Sequence, residues 1–195
     1  MTQKEKFYIF TGIDRTLIGR DFLDKNYGPI GFRIGYVRTN PTSMAALNFL
    51  LENLEKKFDT RLVITSGRRE HPAYCEEYLK YNGLKYDKPL FFTRFVAGPR
   101  GEKIVDFLEE QGTTPIEFHK APLYVRFLKY FKDNPDFNNY VVIDEPKADI
   151  SKYIPKQQYH KVNKRKGLTF SDSAEILESQ NIDFEFPAPK TQKGE

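Results

Sequence analysis

The sequence predicts an α/β fold in three layers, a mainly parallel central sheet with helices on both faces. Short β-rich apolar runs alternate along the chain with longer segments whose apolar residues recur at three-and-four spacing. Three of the runs stop abruptly in polar residues, and in such sheets ligands sit beyond the carboxyl ends of the strands.

Residues 6–13 read as a buried first strand. Pro41 to Phe58 follows as a helix, with Met44, Leu47, Leu51, Leu54 and Phe58 on one stripe and Pro41 in the first turn. TRLVITS (60–66) is a second strand, bounded by Gly67, and Pro72 to Tyr81 a helix stopped by Asn82-Gly83. PLFFTRF (89–95) is a third strand and Glu102 to Gln111 a helix. TPIEFH (114–119) is a short strand and APLYVRFLKYF (121–131) a helix. NYVVIDE (139–145) has the clearest strand pattern of all, followed by a short strand near YHKVNK and a helix opening at Ser171 with Ile176 and Leu177.

The 195 residues suit one domain, expected over residues 1–185, with a polar, proline-bearing and disordered tail at 186–195. Hydrophobic content is only 39%, but 17 Phe and 12 Tyr supply large apolar surfaces. No run of 18 apolar residues exists, so no membrane partner is expected, and MTQKEK lacks the apolar core of a secretory signal. Cys75 stands alone, which excludes a disulfide framework and fits a cytoplasmic setting. The net charge of +4 permits an anionic ligand without demanding one. HKVNKRKG (160–167) is the densest cationic run, either a solvated face or a nucleic-acid contact.

The strand ends collect the residues that chemistry would use. The first strand ends at Gly12-Ile13-Asp14-Arg15-Thr16, the second at Thr65-Ser66-Gly67-Arg68-Arg69, and the clearest at Asp144-Glu145 with Asp149 nearby. Lys120 lies just ahead of the helix that leads to that last strand. Hydroxyls and backbone N–H groups at strand-to-helix turns hold phosphate oxygens, a lysine offsets their charge, and clustered carboxylates take a hard ion such as Mg²⁺. Each piece also has a plain structural role open to it. Ser66 would serve as a helix N-cap, Asp144 as a loop cap, and Lys120 as a solvated lysine.

In that order these residues resemble the haloacid dehalogenase (HAD)-like superfamily, whose fold is a three-layer, Rossmann-like sheet. Its opening motif, Asp-x-Asp-x-Thr, is similar to FTGIDRTLI through Asp14, Thr16 and Leu17. Thr65, or alternatively Ser66, stands at the second motif, and Lys120 at the third, with Arg100 and Lys103 as rivals. Asp144 and Asp149 stand at the fourth. The compact layout further resembles HAD-like domains associated with RNA-repair proteins. The resemblance implies Asp14 and Lys120 as catalytic residues, Thr65, Ser66 and Arg68 as phosphate ligands, and Asp14, Asp144 and Asp149 as Mg²⁺ ligands.

One position departs from the pattern. In the family the first aspartate attacks phosphorus and helps ligate Mg²⁺; here that position is Gly12, which can do neither. Shifting the register to make Asp14 the nucleophile would put Thr16 in place of the acid/base and spoil the Thr-Leu match. Asp21 and Asp24 would reach the site only by swinging back with a mobile flap. That flap, residues 15–40, holds Gly19, Gly28, Gly31 and Gly35 among Phe22, Tyr27, Phe32, Tyr36, Arg15, Arg20, Arg33 and Arg38. It reads either as a small cap whose rings and cations meet a base and phosphates, or as a β-hairpin packed on the domain.

The expected function is therefore a degenerate phosphatase fold that binds a phosphorylated small molecule, a nucleic-acid end or a protein partner, with Mg²⁺ binding weakened. An active Mg²⁺-dependent phosphohydrolase on nucleotides or nucleic-acid ends, and a nucleic-acid-binding module, are the alternatives.

Overall fold

The computed structural model describes residues 3–27, 37–111 and 139–187. The expected strand at 114–119, the helix at 121–131 and Lys120 lie outside the described residues, as do residues 28–36 of the flap and 188–195 of the tail.

Five strands form one parallel sheet: β1 (Lys6–Thr11), β2 (Asp59–Ile64), β3 (Phe91–Phe92), β4 (Tyr140–Asp144) and β5 (Tyr159–Lys161). Their order is β3-β2-β1-β4-β5. The chain builds outward from β1 on one side, then returns to its other side with β4. The topological switch point thus lies between β1 and β4, where open α/β sheets leave a crevice beyond the strand ends. Tyr8 pairs with Tyr140 and Thr11 with Ile143, so both strands deliver their last residues to the same level.

Strand residues alternate between two apolar layers because successive side chains point to opposite faces. Phe7, Ile9, Leu62, Ile64, Val141 and Ile143 face one layer, packed by α2 (Pro41–Lys57), α3 (Pro72–Tyr81) and the C-terminal helix α6 (Phe170–Ser179). Tyr8, Phe10, Val63, Tyr140 and Val142 face the other, against α4 (Arg100–Gln111) and the short α5 (Ala148–Ser151). Met44, Leu47, Leu51, Leu54 and Phe58 are all buried, as their spacing predicts. Asn40 caps α2 by accepting from Thr42 N at 3.0 Å, with Pro41 behind it.

Two elements differ from expectation. Residues 20–27 of the flap form helix α1 (Arg20–Tyr27), not one arm of a hairpin. Their aromatics Phe22 and Tyr27 do pack on the core, which is what their apolar surface requires. The third strand is only Phe91–Phe92, because the buried Arg69 guanidinium takes the carbonyls of Thr93 (3.1 Å) and Arg94 (3.4 Å) and so ends the ladder. In the tail, Phe186 stacks on Phe49 with centroids 5.9 Å apart. Among the described residues no helix is long and apolar enough to cross a membrane.

Helix α6 begins in a reciprocal capping box. Thr169 Oγ1 accepts from Asp172 N at 3.2 Å, while Asp172 Oδ2 accepts from Thr169 N at 2.8 Å. His160 of β5 adds a contact to Asp172 Oδ1 at 2.9 Å, tying the helix to the sheet edge. Burial raises the Asp172 carboxyl, but the hydrogen bonds from His160 and Thr169 outweigh it and hold the group below the ordinary carboxylate range. A carboxylate depressed in the folded state contributes stability above its unfolded value of about 3.9 and loses it as the pH falls through the folded value. Stability measured by urea unfolding should thus fall below about pH 4 in part through Asp172. Asp172→Asn should flatten that portion of the profile and cost about 1 kcal/mol at neutral pH.

Candidate active site at the strand ends

Beyond β1 the chain turns sharply, with Leu17 N and Ile18 N both returning to Ile13 O at 2.8 and 3.2 Å. Arg15 sits in the left-handed region at φ 63°, a conformation a non-glycine side chain adopts at a cost. That turn sends Arg15 across to β4, where its Nη1 lies 3.2 Å from both oxygens of Glu145. Asp14 points the other way, toward β2. Its Oδ2 accepts from Ser66 Oγ at 3.2 Å, and its Oδ1 accepts from Arg68 Nε and Nη2 at 3.3 and 3.2 Å.

Asp144 closes β4 and is fully buried. A carboxylate there must be matched by donors. Its Oδ1 accepts from Glu145 N at 2.8 Å and from Thr16 Oγ1 at 3.4 Å. Its Oδ2 accepts from Arg100 Nη1, the first residue of α4, and Lys147 Nζ stands 3.9 Å from Oδ1. Lys147 also pairs with Glu145 at 3.2 Å. Asp149 does not join Asp144. Its Oδ2 accepts the backbone N–H of Arg100 at 3.0 Å, capping α4. Arg100 is thus held twice, by its backbone through Asp149 and by its guanidinium through Asp144.

Gly12 faces this pair closely. A Cβ at Gly12 would lie 3.1 Å from Thr16 Oγ1 and 3.2 and 3.3 Å from the Asp144 oxygens. Gly101 is tighter still, its Cβ position 2.5 Å from Asp149 O, so α4 can approach α5 and bring Arg100 to Asp144.

Of the residues singled out from sequence, Asp14, Ser66 and Arg68 form one hydrogen-bonded group. Ser66 also takes its plain role as cap of the turn Gly67–Glu70, accepting from Arg68 N at 3.4 Å. Thr65 is buried, and its Oγ1 has no hydrogen-bond partner among the described residues; Thr93 Oγ1 at the end of β3 shares that condition. Asp21 and Asp24 do not swing in: Asp21 pairs with Arg165 at 2.9 Å and Asp24 with Arg20 at 3.0 Å. The cationic run exposes Lys161, Lys164, Arg165 and Lys166 to solvent.

The sequence pattern placed Arg15 and Arg69 at strand ends but gave no sign of their partners, nor of the pairing of Arg100 with Asp144. The Gly-Pro-Arg-Gly stretch at 98–101, with a small residue at the helix start, was the available signal. Lys103, on the next part of α4, is 9% exposed, and its side chain makes no hydrogen bond or ion pair among the described residues. Burial lowers its pKa, and the nearby charges of Arg69 and Arg100 lower it further. Arg69 is lowered likewise, by burial first and then by Arg100. Positive charge is therefore crowded around the ends of β2 and β4. Cys75 is buried and its thiol is pushed up to about 11 by burial, so it offers no thiolate nucleophile.

Among the described residues, no group of three or more His, Cys, Asp and Glu side chains converges as a metal site would require. Comparison of the chain with protein-family models, with curated proteins and with solved structures gives no match in any of the three. The parallel sheet flanked by helices is Rossmann-like in topology, and the site stands on its own geometry.

Removing Arg100 leaves the buried Asp144 with two hydrogen bonds at Oδ1 and with Lys147, 3.9 Å away, as its nearest cation. Arg100→Ala should destabilise the protein by about 3–5 kcal/mol in urea unfolding. The double variant Arg100→Ala/Asp144→Asn should recover part of that loss, with a coupling energy of about 1–3 kcal/mol.

Proposed function

We propose that this chain is a degenerate member of the phosphatase-like class that binds a phosphorylated ligand at the switch point of its sheet without forming an aspartyl phosphate. The observation that carries this reading is the Arg100 guanidinium on Asp144, directly beside Gly12. An attacking carboxylate is absent at Gly12, and the buried carboxylate that would share a cation already has one from the protein.

Mg²⁺ fits this donor set poorly. It demands near-octahedral oxygen ligands and one or two free carboxylates. Gly12 supplies none, Asp144 is taken by Arg100, Asp149 is committed to the first N–H of α4, and Asp14 is bound by Ser66 and Arg68. The guanidinium supplies the charge balance at Asp144 that a divalent ion would otherwise give.

An anion, by contrast, suits what is left over. The Lys103 ammonium is nearly buried with no ion pair among the described residues, and the repulsion from Arg69 and Arg100 outweighs the attraction of Glu102 and Asp149. The Thr65 hydroxyl is a buried donor without an acceptor. A phosphoryl group would bring negative charge and lone pairs to both, with Arg68 at the rim. Lys103, a rival for that position in the sequence reading, thereby takes the role first expected of Lys120, which lies outside the described residues.

Calorimetric titration with inorganic phosphate should detect binding that Lys103→Gln weakens about tenfold or more, the worth of a charge-assisted hydrogen bond. Wild-type protein and Gly12→Asp should both fail to turn over p-nitrophenyl phosphate with Mg²⁺. For Gly12→Asp the reason is that Arg100 still occupies Asp144 and the new side chain crowds it. Mg²⁺-dependent turnover by wild type that vanishes in Asp14→Asn would overturn the proposal.

A further inference from the structure

We infer that the tyrosine-lined cavity along α3, linked to Asp14 through Arg68 and Tyr78, is a nucleobase subsite, so that the phosphorylated ligand is a nucleotide; this rests on the phosphate reading above. Helix α3 carries Tyr74, Tyr78 and Tyr81, spaced by four and three residues and hence on one face. Tyr74 is 48% and Tyr81 74% exposed, among the few large apolar side chains that the described residues leave in solvent. Together with Arg38, Glu77 and Asn82 they line a cavity of about 560 Å³. That lies within the range of roughly 300–1,000 Å³ found for small-molecule sites.

The cavity connects to the strand ends through shared side chains. The Arg68 guanidinium reaches Asp14 at 3.2 Å and lies 4.8 Å from the centre of the Tyr78 ring. Tyr78 is fixed in turn by donating its hydroxyl to Val37 O at 2.6 Å. At the far side, Arg38 lies 5.5 Å from the Tyr81 ring centre and donates to its hydroxyl at 3.1 Å.

These are the groups a base needs. Tyrosine faces stack on any of the four bases, and planar guanidinium groups stack beside them. The Glu77 carboxylate accepts from exocyclic amines and ring N–H donors at a base edge. Arg68 links this cavity to the strand ends, reaching Asp14 on one side and the Tyr78 ring on the other. A protein partner fits less well, since a stable protein interface takes about 20–30 residues a side and this patch is far smaller.

The test is calorimetric titration of the full chain with adenosine 5′-monophosphate, ribose 5-phosphate and adenosine. The monophosphate should bind more tightly than ribose 5-phosphate. Tyr81→Ala or Tyr74→Ala should shrink that advantage by about 5- to 100-fold, the worth of one stacked base. Tyr81→Phe, which keeps the ring, should retain most of it. Circular dichroism checks that each variant is folded, as expected for side chains this exposed.

Equal binding of the monophosphate and ribose 5-phosphate, or an advantage indifferent to both tyrosines, overturns the base subsite and leaves the phosphate reading standing. Adenosine binding that depends on Tyr81 while ribose 5-phosphate fails to bind supports the base subsite and overturns the phosphate reading. Binding of none of the three overturns both.

Discussion

A buried carboxylate at the end of a central strand organises this site. Asp144 has no access to water, so its charge must be answered from within the protein. The answer comes from four directions: Thr16 in the turn after β1, the N–H of Glu145, Lys147, and Arg100 at the head of α4. Those groups lie on three separate stretches of chain. Meeting one desolvated charge thereby fixes the β1 turn, the start of α4 and the loop after β4 relative to one another. Buried ion pairs rarely add much net stability, but breaking one is expensive, and that asymmetry makes Asp144 a positional constraint.

That constraint has a chemical consequence. With Asp144, Asp149, Glu145 and Asp14 each already paired inside the fold, the carboxylates of the strand ends are occupied. The cationic side is less fully matched: Lys103 makes no side-chain ion pair among the described residues, and Arg69 and Arg100 act on it more strongly than Glu102 and Asp149 do. The proposed anion, in place of a metal cation, rests on that arrangement. The proposed phosphate and base subsites share Arg68, which touches Asp14 on one side and the Tyr78 ring on the other. A ligand spanning both would use binding contacts the fold already holds in place.

Much of this was legible in the residues. Helices α2 and α3 begin and end where Pro41, Pro72 and Asn82 say they should, because local backbone chemistry decides helix ends. Strand β4 is apolar up to its closing Asp144 and is buried on both faces. Asp14 with Ser66 and Arg68 could be grouped from strand-end position alone. The helix at Arg20–Tyr27 and the brevity of β3 could not. The first depends on packing Phe22 and Tyr27 against the core, the second on an arginine arriving from another segment.

The sequence by itself determined the alternation of strands and helices, the polar strand ends, and the absence of a side chain at Gly12. All of these follow from periodicity and residue type over a few neighbouring positions. Only the tertiary structure decided which charges meet. Arg100 and Asp144 stand 44 residues apart, and nothing local distinguishes an arginine at a helix start from a solvated one. Asp149 likewise reads as a metal ligand in sequence and serves as a helix cap in space. The physical reason is that an ionic partner is selected by desolvation, and desolvation exists only once the sheet and both helical layers have closed around the site.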